Sequence, residues 1–119
     1  MASTKNTSIL FASSVPEERK RFLELVSANN LPYLVHIPDC LRDADLLIES
    51  EQIQLIITDC SFADGAFVDW LVLWPRPYLL LAYYGEEKRI DDLIRDEACS
   101  FVMRDSEFRH LGSLPTMIR

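Results

Sequence analysis

Short apolar runs alternate with amphipathic segments along the chain, and the two patterns predict different elements. A near-continuous apolar run between turn-forming residues is typical of a strand that is buried on both faces of a sheet. Five such runs predict five strands: Ser8–Ala12, Tyr33–Ile37, Ile53–Thr58, Tyr78–Ala82 and Phe101–Met103. The segments that follow the strands carry apolar residues at helical spacing, so we expect five helices.

The predicted helices begin after polar or turn-forming residues. Their starts lie at Ser14, Asp39, Asp64-Gly65, Glu86 and Glu107, and the last helix is interrupted by Gly112 and Pro115. Ser14 is followed three residues later by Glu17, which is a capping-box pattern, and Pro16 is tolerated in the first turn of a helix. The charged residues 17–20 are expected to face solvent, and Asp39 is expected to cap the second helix.

Strands that alternate with helices predict βαβ units, and hence an α/β fold with a parallel sheet and helices on both of its faces. In such a sheet the functional site lies outside the carboxyl ends of the strands. That rule points to the residues that follow the predicted strands: Ser13, Ser14, Asp59, Ala82, Tyr83, Arg104 and Asp105.

Composition and charge narrow the class of protein. The 119 residues suffice for one domain, and 19 acidic against 12 basic side chains give a formal net charge of −7. Nucleic acid is therefore a poor partner, because phosphate binding needs clustered Lys and Arg. No apolar run approaches the roughly 20 residues that cross a bilayer, and no signal peptide is evident. We therefore expect a cytoplasmic protein with no membrane partner.

Cysteine, histidine and glycine form no motif of their own. Cys40, Cys60 and Cys99 make no CxxC pair and are expected to be small, buried or half-buried thiols. His36 and His110 are isolated along the chain, so neither a zinc site nor a nucleophile–base grouping is predicted. With three glycines in all, the chain also lacks a Gly-rich loop that could hold a phosphate.

From Ser8 to Arg119, the order of elements and the residues at the strand ends resemble a response-regulator receiver domain, the CheY-like module of bacterial two-component signalling. Asp59, within IQLIITDC, matches the aspartate at the end of the third strand that accepts a phosphoryl group in that family. The resemblance implies a flavodoxin-like (βα)5 three-layer sandwich with a five-stranded parallel sheet in the order 2-1-3-4-5. It implies a non-enzymatic domain over 1–119, with a flexible terminus over 1–7 and a last helix cut short at 119.

The other site positions depart from the pattern of the family. Ser13 and Ser14 stand where the family has two acidic residues, Ala82 stands where it has Thr or Ser, and Arg104 stands where it has Lys. Because Mg²⁺ is held mainly by carboxylates and phosphate oxygens, we expect its binding to be lost or weak, and we expect no other cofactor. Ala82 also offers no hydroxyl to a phosphoryl oxygen. These departures favour a degenerate pseudo-receiver.

Two of these positions have alternative interpretations. Arg104 either forms a planar, bidentate pair with Asp59, which would fix the site in one state without phosphate, or it points to solvent in a decayed site. Ser13 and Ser14 are either vestiges of the ligand positions or, in the interpretation that we favour for Ser14, a helix cap.

The aromatic residues are equally open. Phe101 matches the fifth-strand aromatic that swings between buried and exposed rotamers in the family, and a phenylalanine in a short strand is also typical of plain core, which we favour. Tyr83 and Tyr84 either cover the site or belong to a binding face. Trp70 and Trp74 lie one helical turn apart, so they share a face that either packs on the sheet or meets a partner.

The functional expectation is a phosphorylation-independent signalling module that acts through protein contacts on the fourth helix, fifth strand and fifth helix. Arg104-Asp105 and Leu114-Pro115 resemble the last helix of receivers joined to sensory, histidine-kinase or diguanylate-cyclase modules. We therefore expect the N-terminal domain of a larger protein, with a linked output or kinase domain, another protein partner, or a homodimer through the last helices. The alternatives are a functional receiver phosphorylated on Asp59 and a flavodoxin-like small-molecule-binding domain.

Overall fold

The fold is a single parallel sheet with helices packed on both faces. A computed structural model describes residues 7–67, 71, 77–83, 85, 86, 88 and 99–118. Its strands are β1 (Thr7–Ala12), β2 (Tyr33–His36), β3 (Leu55–Asp59), β4 (Tyr78–Ala82) and β5 (Cys99–Met103). They pair in parallel in the order β2-β1-β3-β4-β5. The predicted flavodoxin-like architecture and strand order are confirmed.

The strand bounds differ from the predicted ones by up to two residues. The third strand begins at Leu55 instead of Ile53, and the fifth begins at Cys99 instead of Phe101. Thr7 was expected in a flexible terminus, but it is the first residue of β1, and its N–H donates to the carbonyl of Pro32 at 2.8 Å. Pairing with a neighbouring strand therefore extends β1 and β5 at their starts, whereas β3 begins later than its apolar run.

The helices in the described ranges are α1 (Pro16–Ala28), α2 (Leu41–Ser50) and the short C-terminal α3 (Leu114–Met117). Two 3-10 helices complete them, over Phe62–Gly65 and Arg109–Ser113. The third predicted helix thus opens as a 3-10 turn, and the fourth, over 86–98, lies outside the described residues apart from positions 86 and 88. The last helix does not begin at Glu107, because Phe108 adopts φ 60° in the left-handed region and separates it from the 3-10 turn.

Both predicted helix caps are wrong. Helix α1 follows Val15 at the N-cap position without a side-chain cap bond. The hydroxyl of Ser14 donates to Asp59 instead at 2.6 Å, since a charged carboxylate is a stronger acceptor partner than a neutral group. Helix α2 follows Cys40 without a side-chain cap bond, and the backbone N–H of Asp39 donates to the Asp43 carboxylate at 3.3 Å.

Alternate side chains of the strands enter two separate cores, one on each face of the sheet. Helix α2 covers one face together with Phe62, Phe67 and Leu71, and Leu10, Ile56 and Leu80 are buried there. Helix α1 and residues 108–118 cover the other face, where Phe11 stacks on Phe22 with ring centroids 4.4 Å apart. Helix α1 and the C-terminal residues therefore lie against the same face of the sheet. No helix in the described ranges is long and apolar enough to cross a membrane.

Candidate functional site

Asp59 ends the central strand β3 and is 1% exposed, so its carboxylate depends on protein donors. Oδ1 accepts the backbone N–H groups of Ser61 at 3.0 Å and Phe62 at 2.7 Å, in the turn that follows the strand. Oδ2 accepts the backbone N–H of Ser14 at 2.8 Å, its hydroxyl at 2.6 Å and Nη2 of Arg104 at 2.7 Å. Five hydrogen bonds therefore surround this one carboxylate.

Arg104 lies directly after β5 and is 5% exposed. Its backbone N–H donates to the carbonyl of Ala82, the last residue of β4, at 2.7 Å, which holds the side chain at the carboxyl edge of the sheet. The guanidinium contacts Asp59 through Nη2, so of the two alternatives the ion pair is present and the solvent-facing side chain is not. The bidentate fork, however, binds Glu18, with Nε at 2.9 Å from Oε2 and Nη2 at 2.5 Å from Oε1.

Glu18 is buried, although its charge predicts a position on the solvent side of the first helix. It is 0% exposed. Its Oε1 accepts the hydroxyl of Ser13 at 2.6 Å, and its Oε2 lies 2.7 Å from Nε2 of His110. A signal was present, because position 18 follows Val15 by three residues and precedes the buried Phe22 by four, which places it on the apolar stripe of the helix.

His110, expected to be isolated, also belongs to this site and is 6% exposed. Its Nδ1 accepts the backbone N–H of Asp105 at 3.2 Å. A neutral ring whose Nδ1 accepts carries its proton on Nε2, so His110 donates to the Glu18 carboxylate. The site therefore joins the two residues after β1, helix α1, the end of β3 and the residues after β5 in one buried polar network.

Two ionisable groups of the network are strongly perturbed. Burial favours the neutral form of Glu18, but the hydrogen bonds from His110, Arg104 and Ser13 outweigh it and lower its pKa from 4.5 to about 2. Burial likewise disfavours the charged form of Arg104, but its bonds to Glu18 and Asp59 raise its pKa above the usual value. Both groups are thus held charged, and one guanidinium serves two carboxylates.

The remaining residues that the sequence singled out differ in their exposure. Tyr83 is 48% exposed, and its ring lies 4.8 Å from the guanidinium carbon of Arg104, so it covers the outer side of the site. Phe101 is 46% exposed, which shows that the favoured interpretation as plain core is wrong. Cys40 is exposed and not buried as expected, whereas Cys60 is buried. The side chain of Cys99 and all of Trp70, Trp74 and Tyr84 lie outside what the structure describes.

The donor set at this site does not fit the Mg²⁺ ion that the resemblance to a receiver domain implies. A magnesium ion needs oxygen ligands with lone pairs directed at it. Both oxygens of Asp59 and both oxygens of Glu18 already accept hydrogen bonds from N–H, O–H or guanidinium groups. In the part of the chain that the structure describes, no group of three or more His, Cys, Asp or Glu residues could hold a metal ion.

Comparison with known proteins rests on structure, since neither a family model nor a curated protein sequence matches the chain. The signal receiver domain of an HD domain-containing protein from Pseudomonas fluorescens Pf-5 superposes with a TM-score of 0.75 at 20% identity, covering 99% of this chain and 88% of that chain. The signal receiver domain of a protein described as a Luxo repressor from Vibrio parahaemolyticus gives 0.68 at 21% identity, covering 96% and 98%. Together with the strand order, these superpositions show that this chain has the fold of a signal receiver domain.

Proposed function

We propose that this domain is a signalling module of the two-component type that works without phosphorylation of Asp59. It is a pseudo-receiver without enzymatic activity or a cofactor, and it acts in the cytoplasm through a protein partner or a linked output or kinase domain. The observation that carries the proposal is the state of the Asp59 carboxylate, which is buried and accepts five hydrogen bonds, one of them from a guanidinium.

A carboxylate attacks a phosphoryl group with an oxygen lone pair, and the negative charges of the two groups must be neutralised as they approach. At Oδ2 of Asp59 the lone pairs are directed at Ser14 and Arg104, and at Oδ1 they are directed at two backbone N–H groups. The ion pair with Arg104 stabilises the carboxylate in its unreacted form. Phosphorylation would first have to break these bonds.

The residues around Asp59 also offer little to a phosphorylated product. Ala82 ends β4 without a hydroxyl, and its carbonyl oxygen is engaged by the backbone N–H of Arg104. Glu18, the second carboxylate of the site, is engaged by the guanidinium fork and is therefore a poor ligand for Mg²⁺. These contacts support a site that stays in one state.

The exposed side chain of Phe101 on the edge strand β5 marks the partner surface that we propose. Phe101 is 46% exposed, although most large apolar side chains on the sheet are buried. Apolar side chains that remain exposed on an otherwise acidic domain favour contacts with another protein. A homodimer through the last helices would instead use Met117, which is 41% exposed on α3, the helix that covers the opposite face of the sheet.

The test incubates the domain with Mg²⁺ and acetyl phosphate, and in parallel with beryllofluoride. We expect no gain in intact mass from a phosphoryl group and no shift of the Ser61 and Phe62 amide resonances, whose N–H groups bind Asp59. A receiver domain known to accept phosphate, treated in the same way, shows that the reagents are active. A phosphoryl adduct that disappears in Asp59→Asn would overturn the proposal and favour a functional receiver.

A functional receiver remains the second candidate, because Asp59 stands at the carboxyl end of the central strand, where the fold places its reactive site. In that case Arg104 must leave Asp59 before the reaction. Arg104→Lys would then increase the adduct, since a lysine lacks the planar fork that holds Glu18 and Asp59 together. In the pseudo-receiver this variant stays without an adduct, because Ser14 and the two backbone N–H groups still bind Asp59.

A further inference from the structure

We infer that Glu18 is a positioning residue that couples the Asp59 site to the C-terminal segment, by which we mean residues 105–118. The inference does not depend on whether Asp59 accepts phosphate. It concerns how a change in the charge or the hydrogen-bond partners of Asp59 affects the C-terminal segment.

The coupling rests on one carboxylate that is shared by two neighbours. Oε1 of Glu18 binds Nη2 of Arg104 at 2.5 Å, and the same Nη2 lies 2.7 Å from Oδ2 of Asp59. Oε2 of Glu18 binds Nε of Arg104 at 2.9 Å and lies 2.7 Å from Nε2 of His110. Because the carboxylate and the guanidinium are both planar and buried, neither can turn without changing its bonds to the other.

Asp59 and His110 are linked through this pair of groups. If Asp59 loses its charge, Nη2 of Arg104 keeps only one charged carboxylate partner. The guanidinium then interacts more strongly with Glu18. The electron density and orientation of the Glu18 carboxylate then change, and His110 experiences the change through Oε2. The coupling is reciprocal, so a change at His110 also alters the Asp59 site.

The C-terminal segment depends on this anchor because its own regular structure is short. It consists of a 3-10 helix over Arg109–Ser113 and the four-residue helix α3. Helices of this length are not stable by themselves, so tertiary contacts decide their position. Its contacts on the α1 side include the apolar packing of Leu111 and Leu114, the His110–Glu18 hydrogen bond, and the Phe108 ring, whose centroid lies 5.0 Å from the guanidinium carbon of Arg21.

The test follows the His110 ring by NMR while Asp59 is changed to Asn. We expect Asp59→Asn to shift the His110 ring resonances. The ring itself should keep its proton on Nε2. The shift should persist in Glu17→Gln, which removes a charge from the adjacent exposed position, and should be lost in Glu18→Gln. A general loss of rigidity would change the response of the His110 ring in both Glu17→Gln and Glu18→Gln. Comparing these two variants therefore separates a positioning role of Glu18 from a purely structural one.

A thermodynamic cycle gives the second measurement. Asp59→Asn and His110→Ala are made singly and together. We expect the combined change in the equilibrium constant for unfolding to differ from the product of the two single changes by at least about threefold. In the Glu18→Gln background, the combined change should equal that product. An equal coupling with and without Glu18 would overturn the inference. If Glu18→Gln does not fold, the His110 ring still decides, since resonances that are unmoved by Asp59→Asn would also overturn it. Neither measurement uses phosphorylation, so its outcome is independent of the proposed function.

Discussion

The guanidinium of Arg104 binds two buried carboxylates. Its contribution to stability is best judged from the charges that lose their partner when it is removed. The side chains of Glu18 and Asp59 are 0% and 1% exposed, so without Arg104 both charges would lie in a low-dielectric environment with reduced compensation. Breaking a buried ion pair costs far more than the pair contributes relative to apolar residues, because the remaining charge stays desolvated. The exposed Arg109–Glu107 pair has no such penalty.

We therefore predict that Arg104→Met lowers the free energy of unfolding by about 3–5 kcal/mol, while Arg109→Met lowers it by about 0–1 kcal/mol. Arg104→Lys should fall between them, because it keeps the charge and loses the fork. Urea unfolding followed by circular dichroism measures all three. Equal costs at positions 104 and 109 would show that the buried network contributes nothing beyond a surface pair.

At the scale of elements, two glycines differ in the backbone conformation that the fold requires of them. Gly85 follows β4 with φ +101°, a conformation that side chains rarely adopt, although nothing lies within 4 Å of a Cβ placed there. Gly112 lies inside the 3-10 helix over Arg109–Ser113, and a Cβ there would also meet nothing within 4 Å. The space is thus equal at the two sites, and only the backbone conformation differs.

The same substitution is therefore expected to have opposite effects. Gly85→Ala should destabilise the domain by about 1–2 kcal/mol, because the new Cβ is strained at positive φ. Gly112→Ala should stabilise it by about 0.4–1 kcal/mol, because the unfolded chain loses conformational freedom without strain in the folded state. Thermal unfolding compares the two variants with the parent domain. A stabilising Gly85→Ala would contradict the argument.

For the molecule as a whole, the abundance of acid sets the response to pH. The 19 acidic residues give the chain its net charge of −7, and among them Glu18 is held ionised by its donors with a pKa of about 2. Because this pKa is lower in the folded than in the unfolded chain, the unfolded chain binds more protons between pH 4.5 and 2. Stability from Glu18 is therefore present above about pH 4.5 and is lost as the pH falls towards 2.

The shift from 4.5 to about 2 corresponds to about 3 kcal/mol. We predict that the difference in the free energy of unfolding between the parent domain and Glu18→Gln is largest near neutral pH and shrinks by about that amount as the pH approaches 2. Urea titrations between pH 7 and 2.5 follow this difference. Glu17→Gln, at an exposed position with an ion pair to Arg21, should show no such dependence. A constant difference for Glu18→Gln would contradict the assignment.

Much of the fold could be predicted from local sequence, because strand and helix periods are properties of neighbouring residues. The five strands, their parallel arrangement and the position of Asp59 at the end of β3 followed from apolar runs and from the rule for carboxyl ends. The pairing of Arg104 with Asp59 was one of two alternatives that the sequence left open, and the structure decides in its favour.

The hydrogen-bond partners of the site residues could not be predicted from the sequence, because they come from positions far apart in the chain. Ser14 had the sequence of a helix cap, yet its hydroxyl bonds to Asp59, 45 residues away. Glu18 had the charge of a surface residue, yet Arg104 and His110, 86 and 92 residues away, keep it ionised in the interior. Periodicity by itself determined the elements, their order and the edge of the sheet where charged groups gather. Only the tertiary structure decided which of those groups are buried together, because a charge enters the interior only where the fold brings its partners within hydrogen-bond distance.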